Sequence, residues 1–338
     1  MRKQAGVIVA ACFYYVGLVK LARWLMQKSG RHLIILNYHR ATGGDLRRHL
    51  LYLRRHYRML HLEEALEELY SPLQTAEKVR DQRTPLVLTF DDGYYDNYTH
   101  AFVLARELQV PITVFLIPGY IESGDYFWWQ ESQRLVRRTH LREVTIEGRT
   151  YHLPHQKERD ELVKAIDTCL RYARSVAERE VYLTTVRKLL AVPPSVTVEE
   201  ETTMPLTWAE IGKMDESGWV SFGAHTMHHP ALACLTDPAE VRREVAECRE
   251  LLERQLGHSV RTFAYPIGRP EHIGEEALRA VQEAGYTWAV TTIHGTNIPQ
   301  SNPFQLQRVL GDASRHWLVM AAEVSGLWHF VFHRRKKL

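Results

Sequence analysis

The sequence predicts an α/β protein in which a mainly parallel sheet is covered by helices. Short apolar runs alternate with helical patterns from residue 32 onwards, helix ends carry capping signals, and polar residues follow the apolar runs directly. The chain has 338 residues, enough for one large domain or two smaller ones. With 45% apolar and 25% charged residues, it has the ordinary composition of a folded globular protein.

Six strands are predicted from apolar runs bounded by turn residues. They are His32–Tyr38, Leu86–Phe90, Ile112–Ile117, Val220–Phe222, Thr262–Tyr265 and Thr287–Thr291. Helical patterns separate them, over residues 45–57, 61–70 and 99–109 in the first half of the chain. Such alternation is typical of parallel strands joined by crossover helices.

Helix ends in the second half of the chain are well signalled. A capping box at Thr207 and Glu210 begins one helix, and Gly218 ends it. Asp237 caps the next, which has Pro238 at its first position and Gly257 after its last.

Residues 125–205 interrupt the alternation, because they are long, mostly helical and charged. We interpret them as an insertion beside the main sheet. They begin with the aromatic run Tyr126-Phe-Trp-Trp129, which is either core packing or one wall of a sugar site.

The net charge of +3 hides two basic chain ends. Residues 1–31 contain six basic and no acidic side chains, and the last nine residues add four more basic ones. Removing these ten leaves 33 basic against 40 acidic residues, a difference of −7 for the body. An acidic body is not typical of a nucleic-acid binder, which needs a basic working face, whereas basic ends fit an anionic membrane surface. The four cysteines form no Cys-x-x-Cys pair, so they predict neither a disulfide framework nor a zinc knuckle.

Both chain ends have features of membrane contact. Ala5–Val19 is uncharged over 15 residues, short of the ~20 apolar residues that a spanning helix needs. Residues 1–30 are therefore predicted to be a membrane-associated segment, either an uncleaved anchor or a helix in the membrane plane; a core helix is the third interpretation. For residues 311–338 we expect a basic amphipathic helix, because apolar residues recur at helical spacing from Trp317 to Val331 before a run of four basic residues. It lies either on a membrane or packed on the body.

Polar residues that can carry chemistry follow four predicted strands. Asp91-Asp92-Gly93, His225 to His229, Pro266-Ile-Gly268 and His39 each stand where a strand ends. The carboxyl ends of parallel strands share one face, so these residues should meet. Adjacent carboxylates are costly unless a cation or proton shares them. Two histidines and one carboxylate form a three-ligand metal site, which would leave the other carboxylate free as a base.

The combined motifs resemble those of the polysaccharide deacetylases (NodB homology, carbohydrate esterase family 4). Thr89-Phe-Asp-Asp-Gly93 and His225-Thr-x-x-His229-Pro230 are similar to the two main motifs, and Phe263-Ala-Tyr-Pro-x-Gly268 is similar to the third. The resemblance covers residues 31–310. It implies a distorted (β/α) barrel of about seven parallel strands, with the helical insertion at 125–205.

The resemblance also implies roles for individual residues. Asp91 would be the catalytic base, and Asp92, His225 and His229 would hold one divalent metal ion, zinc or in some members cobalt, nickel or manganese. Tyr265 and a backbone N–H near Ile267 would contribute to the substrate and oxyanion site. The implied reaction is hydrolytic removal of N-acetyl groups from an amino-sugar glycan.

The general acid and the arginine that tunes the base depart from the common family pattern. Leu36-Asn-Tyr-His39 resembles a branch in which the histidine strand comes first, so we predict His39 as the acid, across the metal from Asp91 and not touching the ion. Ala264 occupies the position of the family's arginine. Arg261 and Arg308 are the two candidates to replace it.

Two other function classes remain open from the sequence. One is a different metal enzyme that uses two histidines and a carboxylate, and the other is a non-catalytic carbohydrate-binding or scaffold protein on the same fold. The expected partners are an N-acetylated glycan or a lipid-linked amino sugar and a membrane surface, with no nucleic acid. The expected location is the membrane of the cell envelope, on either side.

Overall fold

A closed barrel of seven parallel strands forms the centre of the protein. The computed structural model describes residues 2–72, 81–192 and 202–328. The strands are β1 (Ile34–Tyr38), β2 (Arg58–Met59), β3 (Pro85–Phe90), β4 (Ile112–Leu116), β5 (Glu143–Ile146), β6 (Arg149–His152), β7 (Val220–Ala224), β8 (Thr262–Ala264), β9 (Trp288–His294) and β10 (Leu306–Leu310). The barrel order is β1-β10-β9-β8-β7-β4-β3, and β1 pairs with β3 to close it, with Ile34 opposite Leu86. This confirms the predicted fold class.

Helices surround the barrel and follow most of its strands. They are α1 (Arg2–Tyr15), α2 (Leu18–Lys28), α3 (Leu46–His56), α4 (Leu62–Tyr70), a π-helical turn (Asn97–Phe102) that continues as α5 (Val103–Leu108), α6 (Pro118–Ser123), α7 (Trp128–Arg138), α8 (Gln156–Arg171), α9 (Val176–Leu189), α10 (Trp208–Glu216), α11 (Pro238–Leu256), α12 (Pro270–Glu283) and α13 (Trp317–Val324). The capping box of Thr207 and Glu210 begins α10 as predicted. Gly257 ends α11 in the left-handed conformation.

The barrel interior changes from apolar to polar along the strands. Ile35, Val87 and Leu306 belong to one buried apolar cluster. Side chains alternate along a strand, so the next inward positions lie two residues later. Those positions are occupied by polar residues, all of them fully buried: Asn37 on β1, Thr89 on β3 and Arg308 on β10. The polar end coincides with the carboxyl ends of the strands.

The insertion has its own core beside the barrel. Helices α7, α8 and α9 share a buried apolar cluster that includes Phe127, Leu162 and Leu183. The antiparallel hairpin β5–β6 within it was not predicted. Its turn residues Glu147 and Gly148 both have positive φ, as a two-residue hairpin turn of type I′ requires. Residues 193–201 of the predicted insertion lie outside the described residues.

The terminal helices pack against each other and on the barrel. Ala10 of α1 and Val19 of α2 are buried, and the ring of Tyr14 lies 5.1 Å from that of Trp317 at the start of α13. Most of α13 is buried. Residues 329–338 of the predicted C-terminal helix, with its four basic residues, lie outside the described part of the chain. Among the described helices no single one is long and apolar enough to cross a bilayer, although Gly6–Tyr15 and Leu18–Lys28, bent by 67°, together meet the criteria of length and composition.

Candidate metal centre and catalytic cleft

Asp92, His225 and His229 converge at the polar end of the barrel. Asp92 follows β3, and both histidines follow β7. Asp92 Oδ1 lies 3.5 Å from Nε2 of His225 and 3.7 Å from Nε2 of His229. One ligand atom from each residue lies within 4.8 Å of the others, and all three residues are buried. The predicted metal ligands are thus brought together.

The backbone around this triad adopts sparsely populated conformations at three residues. The φ angles are +74° at Asp92, +66° at Thr226 and +54° at His229, although none is glycine. Such conformations cost of the order of 1–3 kcal/mol each and persist only where the surroundings hold them. Thr226 helps to hold the histidine turn, because its Oγ1 accepts a hydrogen bond of 2.9 Å from the His229 N–H.

Neighbouring groups orient both histidine rings. The His225 Nδ1 donates to the carbonyl of Ala264 at 2.7 Å, which leaves Nε2 free to bind an ion. The His229 carbonyl accepts a hydrogen bond of 2.9 Å from the indole N–H of Trp128. The ring of Trp129 lies 4.4 Å from the His229 ring. The aromatic run at the start of the insertion therefore supports the second histidine.

The donor set fits a divalent cation. Asp92 Oδ1 is buried and has no hydrogen-bond partner in the described structure, an expensive state for a carboxylate oxygen unless an ion satisfies it. Burial lowers the pKa of His229 to about 3, so the imidazole is in the neutral form that binds metals. Burial alone would raise the pKa of Asp92, but the neighbouring histidines lower it. Two imidazole nitrogens and one carboxylate suit zinc and related ions.

Asp91 is held rigidly beside this triad by Arg308. The guanidinium NH1 and NH2 bind the two carboxylate oxygens of Asp91 at 2.8 Å each, and the Asn37 amide donates to Oδ2 at 3.1 Å. Burial would raise the pKa of Asp91, but the charge of Arg308, with smaller contributions from His225 and His39, lowers it below its ordinary value. Asp91 is therefore an ionised, oriented carboxylate.

The two candidate arginines lie at opposite ends of the barrel. Arg308 is fully buried on β10 and enters the site from the strand next to β1. Arg261 directly precedes β8, at the amino end of that strand, and its guanidinium binds Glu63 and Glu67 at 2.6 and 2.7 Å. Arg261 is thus excluded as the partner of Asp91, and Arg308 takes that position.

His39 lies at the predicted end of the barrel, next to Asp91. Its Nε2 is 3.8 Å from Oδ2 of Asp91. The two side chains are neighbours because β1 and β3 are paired strands, with Tyr38 opposite Phe90. The His39 side chain is 48% exposed, so it can reach a ligand in the cleft.

Sequence reasoning missed Asp96 and Asn97, which fix the loop that carries His39. The Asn97 amide donates to the His39 carbonyl at 3.1 Å. Asp96 Oδ2 accepts hydrogen bonds from Arg40 Nε at 2.7 Å and from the backbone N–H of Ala41 at 3.1 Å. Both residues are fully buried. The sequence does show this second pair of polar residues shortly after Asp91-Asp92. It does not show that the segment is buried.

The site opens into a cleft with a volume of about 650 Å³. Ile267 lines it with φ +61°, and its N–H forms no hydrogen bond within the described chain. Tyr265 also lines the cleft, but its hydroxyl donates to the Phe304 carbonyl at 3.1 Å. Of the aromatic run, Phe127 and Trp128 are core residues. Trp129 is partly exposed on the cleft wall.

Comparisons with known proteins agree with this geometry. Residues 78–187 and 194–289 match the family model described as Polysaccharide deacetylase. YxkH of Bacillus subtilis (strain 168) is 21% identical over 289 residues, which are 85% of this chain and 74% of that protein. The Streptococcus pyogenes deacetylase PplD, in complex with acetate, superimposes with a TM-score of 0.56 at 17% identity, over 87% of this chain and 99% of that one. IcaB from Ammonifex degensii gives 0.54 at 19% identity, over 88% and 98%. At these identities the structural likeness establishes the fold.

Proposed function

Because the chain belongs to the polysaccharide deacetylase family, we propose that it is a metal-dependent hydrolase that removes N-acetyl groups from an amino-sugar glycan. The observation that carries the proposal is the convergence of Asp92, His225 and His229 beside the ionised Asp91, in an open cleft. An intact ligand set with an oriented carboxylate favours an enzyme over a non-catalytic carbohydrate-binding protein.

Asp92, His225 and His229 would hold the divalent metal, with zinc favoured by the donor set and cobalt, nickel or manganese as alternatives. When bound, the ion would supply Lewis-acid polarisation of the amide carbonyl and lower the pKa of a water molecule. Asp91 accepts the proton of the attacking water, and Arg308 keeps the carboxylate in place for this transfer.

His39 is proposed as the general acid. An amine leaves poorly unless it is protonated as the C–N bond breaks, and an imidazolium is suited to give that proton near neutral pH. The position of His39 supports this assignment, because its exposed side chain lines the cleft and its Nε2 lies 3.8 Å from Oδ2 of Asp91. The free Ile267 N–H is available to the oxyanion that forms at the amide. The products are acetate and a free amino sugar.

The proposed reaction is tested by acetate release from a panel of N-acetylated glycans. We expect release that chelator abolishes and that one added divalent metal restores, with about one ion bound per chain in elemental analysis. His225→Ala should lose the ion. A protein that binds the metal but releases no acetate from any glycan would support the scaffold interpretation instead.

His39→Ala is expected to lower turnover by about 10²-fold or more while the metal content stays unchanged. His100→Ala is the matched control, because His100 is an exposed histidine outside the cleft. Turnover and elemental analysis on the same preparations distinguish the roles. Loss of metal from His39→Ala, or turnover equal to that of His100→Ala, would remove His39 as the acid.

We also propose that α1 and α2 dock on an anionic membrane surface. Large apolar side chains on the two helices and in the turn between them are solvent-exposed: Ile8, Tyr15, Val16, Leu18, Leu21, Trp24 and Leu25. Lys20 and Lys28 are exposed on the same helix as four of them. An apolar surface with flanking lysines complements anionic lipid, and it favours an in-plane attachment that brings the cleft to an envelope or lipid-linked glycan.

A double substitution on α2 is a better test of this docking surface than removal of residues 1–30. The removal would also uncover α13, because α1 packs on it. Trp24→Ser with Leu25→Ser should lower sedimentation with phosphatidylglycerol vesicles by about tenfold, since two large side chains lose their burial in lipid. Val181→Ser is the control, because Val181 is an even more exposed apolar residue, on α9 in the insertion. Unchanged sedimentation of the double variant would contradict the proposal.

A further inference from the structure

The cleft has a second wall, opposite in character to the acidic metal site. Arg171 and Tyr172, at the end of α8 in the insertion, line this wall together with Arg269 and His272, at the start of α12. We call these four residues the cationic wall. The barrel and the insertion therefore both contribute to it.

One positive charge of the cationic wall is not neutralised by an ion pair. Arg171 is paired with Asp167 at 3.0 Å, whereas Arg269, which lines the cleft, forms no ion pair within the described chain. Asp91 and Asp92 are the only carboxylates among the described cleft-lining residues, and Arg308 and the metal triad engage them. Glu271 lies close to His272 but does not line the cleft.

His272 is the clearest sign that a ligand completes this wall. The residue is 7% exposed, its ring stacks on Tyr172 at 6.1 Å, and its buried Nδ1 has no hydrogen-bond partner among the described residues. A buried ring nitrogen without a partner costs free energy that a hydrogen bond to an incoming ligand would recover. With two guanidinium groups nearby, the fitting acceptor is an anion.

We propose that the cationic wall is a subsite for an anionic group, phosphoryl or carboxylate, carried by the glycan next to the N-acetyl sugar. Arg269 binds the anion through its planar fork, His272 donates a ring N–H, and Tyr172 packs on the sugar that carries the charge. The inference rests on the proposed deacetylase reaction for its substrate, since it specifies which amino-sugar glycans the cleft accepts.

Binding of three matched trisaccharides to the full-length, metal-loaded protein tests the subsite. The ligands are a neutral N-acetylglucosamine trisaccharide, the same sugar phosphorylated at its reducing end, and the same sugar oxidised there to a carboxylate. We expect at least one charged form to bind about tenfold more tightly than the neutral one by calorimetry, as one charge-assisted contact would give. The tighter of the two charged forms identifies the anion.

Two variants tie the selectivity to the cationic wall. Arg269→Gln should bring the ratio of charged to neutral affinity close to one and leave the neutral sugar unaffected. His272→Phe keeps a ring against Tyr172 and should lower the same ratio. Arg279→Gln, on the outer face of α12 and paired with Glu276, should retain it. Three results would overturn the subsite. They are equal affinities of the wild type for charged and neutral trisaccharides, an unchanged ratio of these affinities in Arg269→Gln, and no binding of any ligand.

The binding assay separates this inference from the proposed reaction. Charge selectivity in a protein that releases no acetate would overturn the reaction and retain the subsite. Acetate release without selectivity would overturn the subsite alone.

Discussion

Asp91→Asn is expected to lower turnover by about 10²–10⁴-fold with the metal content unchanged, whereas Asp92→Asn is expected to lose both. The amide of Asn at position 91 can still accept a hydrogen bond from Arg308, but it cannot take a proton from water. At position 92 the amide is a poor substitute for a charged ligand to a divalent ion. Asn tolerates the positive φ of Asp92, so the turn should survive the change.

Turnover, elemental analysis and the thermal midpoint, measured on both variants, separate the two carboxylates. Each variant is the control for the other, because the two residues are adjacent and both buried. Both substitutions exchange one carboxylate oxygen for an amide nitrogen. Loss of metal from Asp91→Asn with retention in Asp92→Asn would mean that the two roles are exchanged. A fall in the thermal midpoint of both by the same amount would indicate a purely structural effect.

Arg308→Met is expected to reduce both the stability of the protein and its turnover. It removes the partner of a fully buried carboxylate, which costs about 3–5 kcal/mol in comparable buried pairs. Without the guanidinium, burial raises the pKa of Asp91, so the carboxyl takes up a proton and no longer serves as a base. Chemical denaturation and turnover provide the two measurements.

Arg261→Met is the matched control for this change. Arg261 is partly exposed and its ion pairs with Glu63 and Glu67 lie at the other end of the barrel, so we expect at most about 1 kcal/mol and normal turnover. Arg308→Lys should be intermediate, because it retains the charge but not the two parallel hydrogen bonds. Turnover by Arg308→Met equal to that of the control would contradict the role of Arg308.

The motifs after β3 and β7 could be found from the sequence because each is short and follows an apolar strand. Asp91, Asp92, His225 and His229 are therefore where local pattern places them. The family match and the seven-stranded barrel confirm the resemblance and the fold class. The roles of the individual residues remain predictions that the variants above test.

Arg308 could not be selected because its strand was not recognised. β10 is short and places a charged residue at an inward, fully buried position, which contradicts the usual pattern of a core strand. Only the closure of the barrel brings this residue to Asp91, 217 positions away in the chain. The supporting residue Asp96 was missed for a related reason, since its partners on the loop after β1 are distant in sequence.

Barrel closure also sets the order in which a newly made chain can complete its site. Asp91 directly follows β3, and its partners come from the first barrel strand through Asn37 and from the last through Arg308. During synthesis from the N-terminus, the carboxylate and the metal ligands are all made before β10 leaves the ribosome. The growing chain therefore carries the whole ligand set without the cation that holds Asp91. Such late, long-range closure is slow. A chain that ends before Leu306 lacks Arg308, and its site is therefore incomplete however much of the barrel has folded.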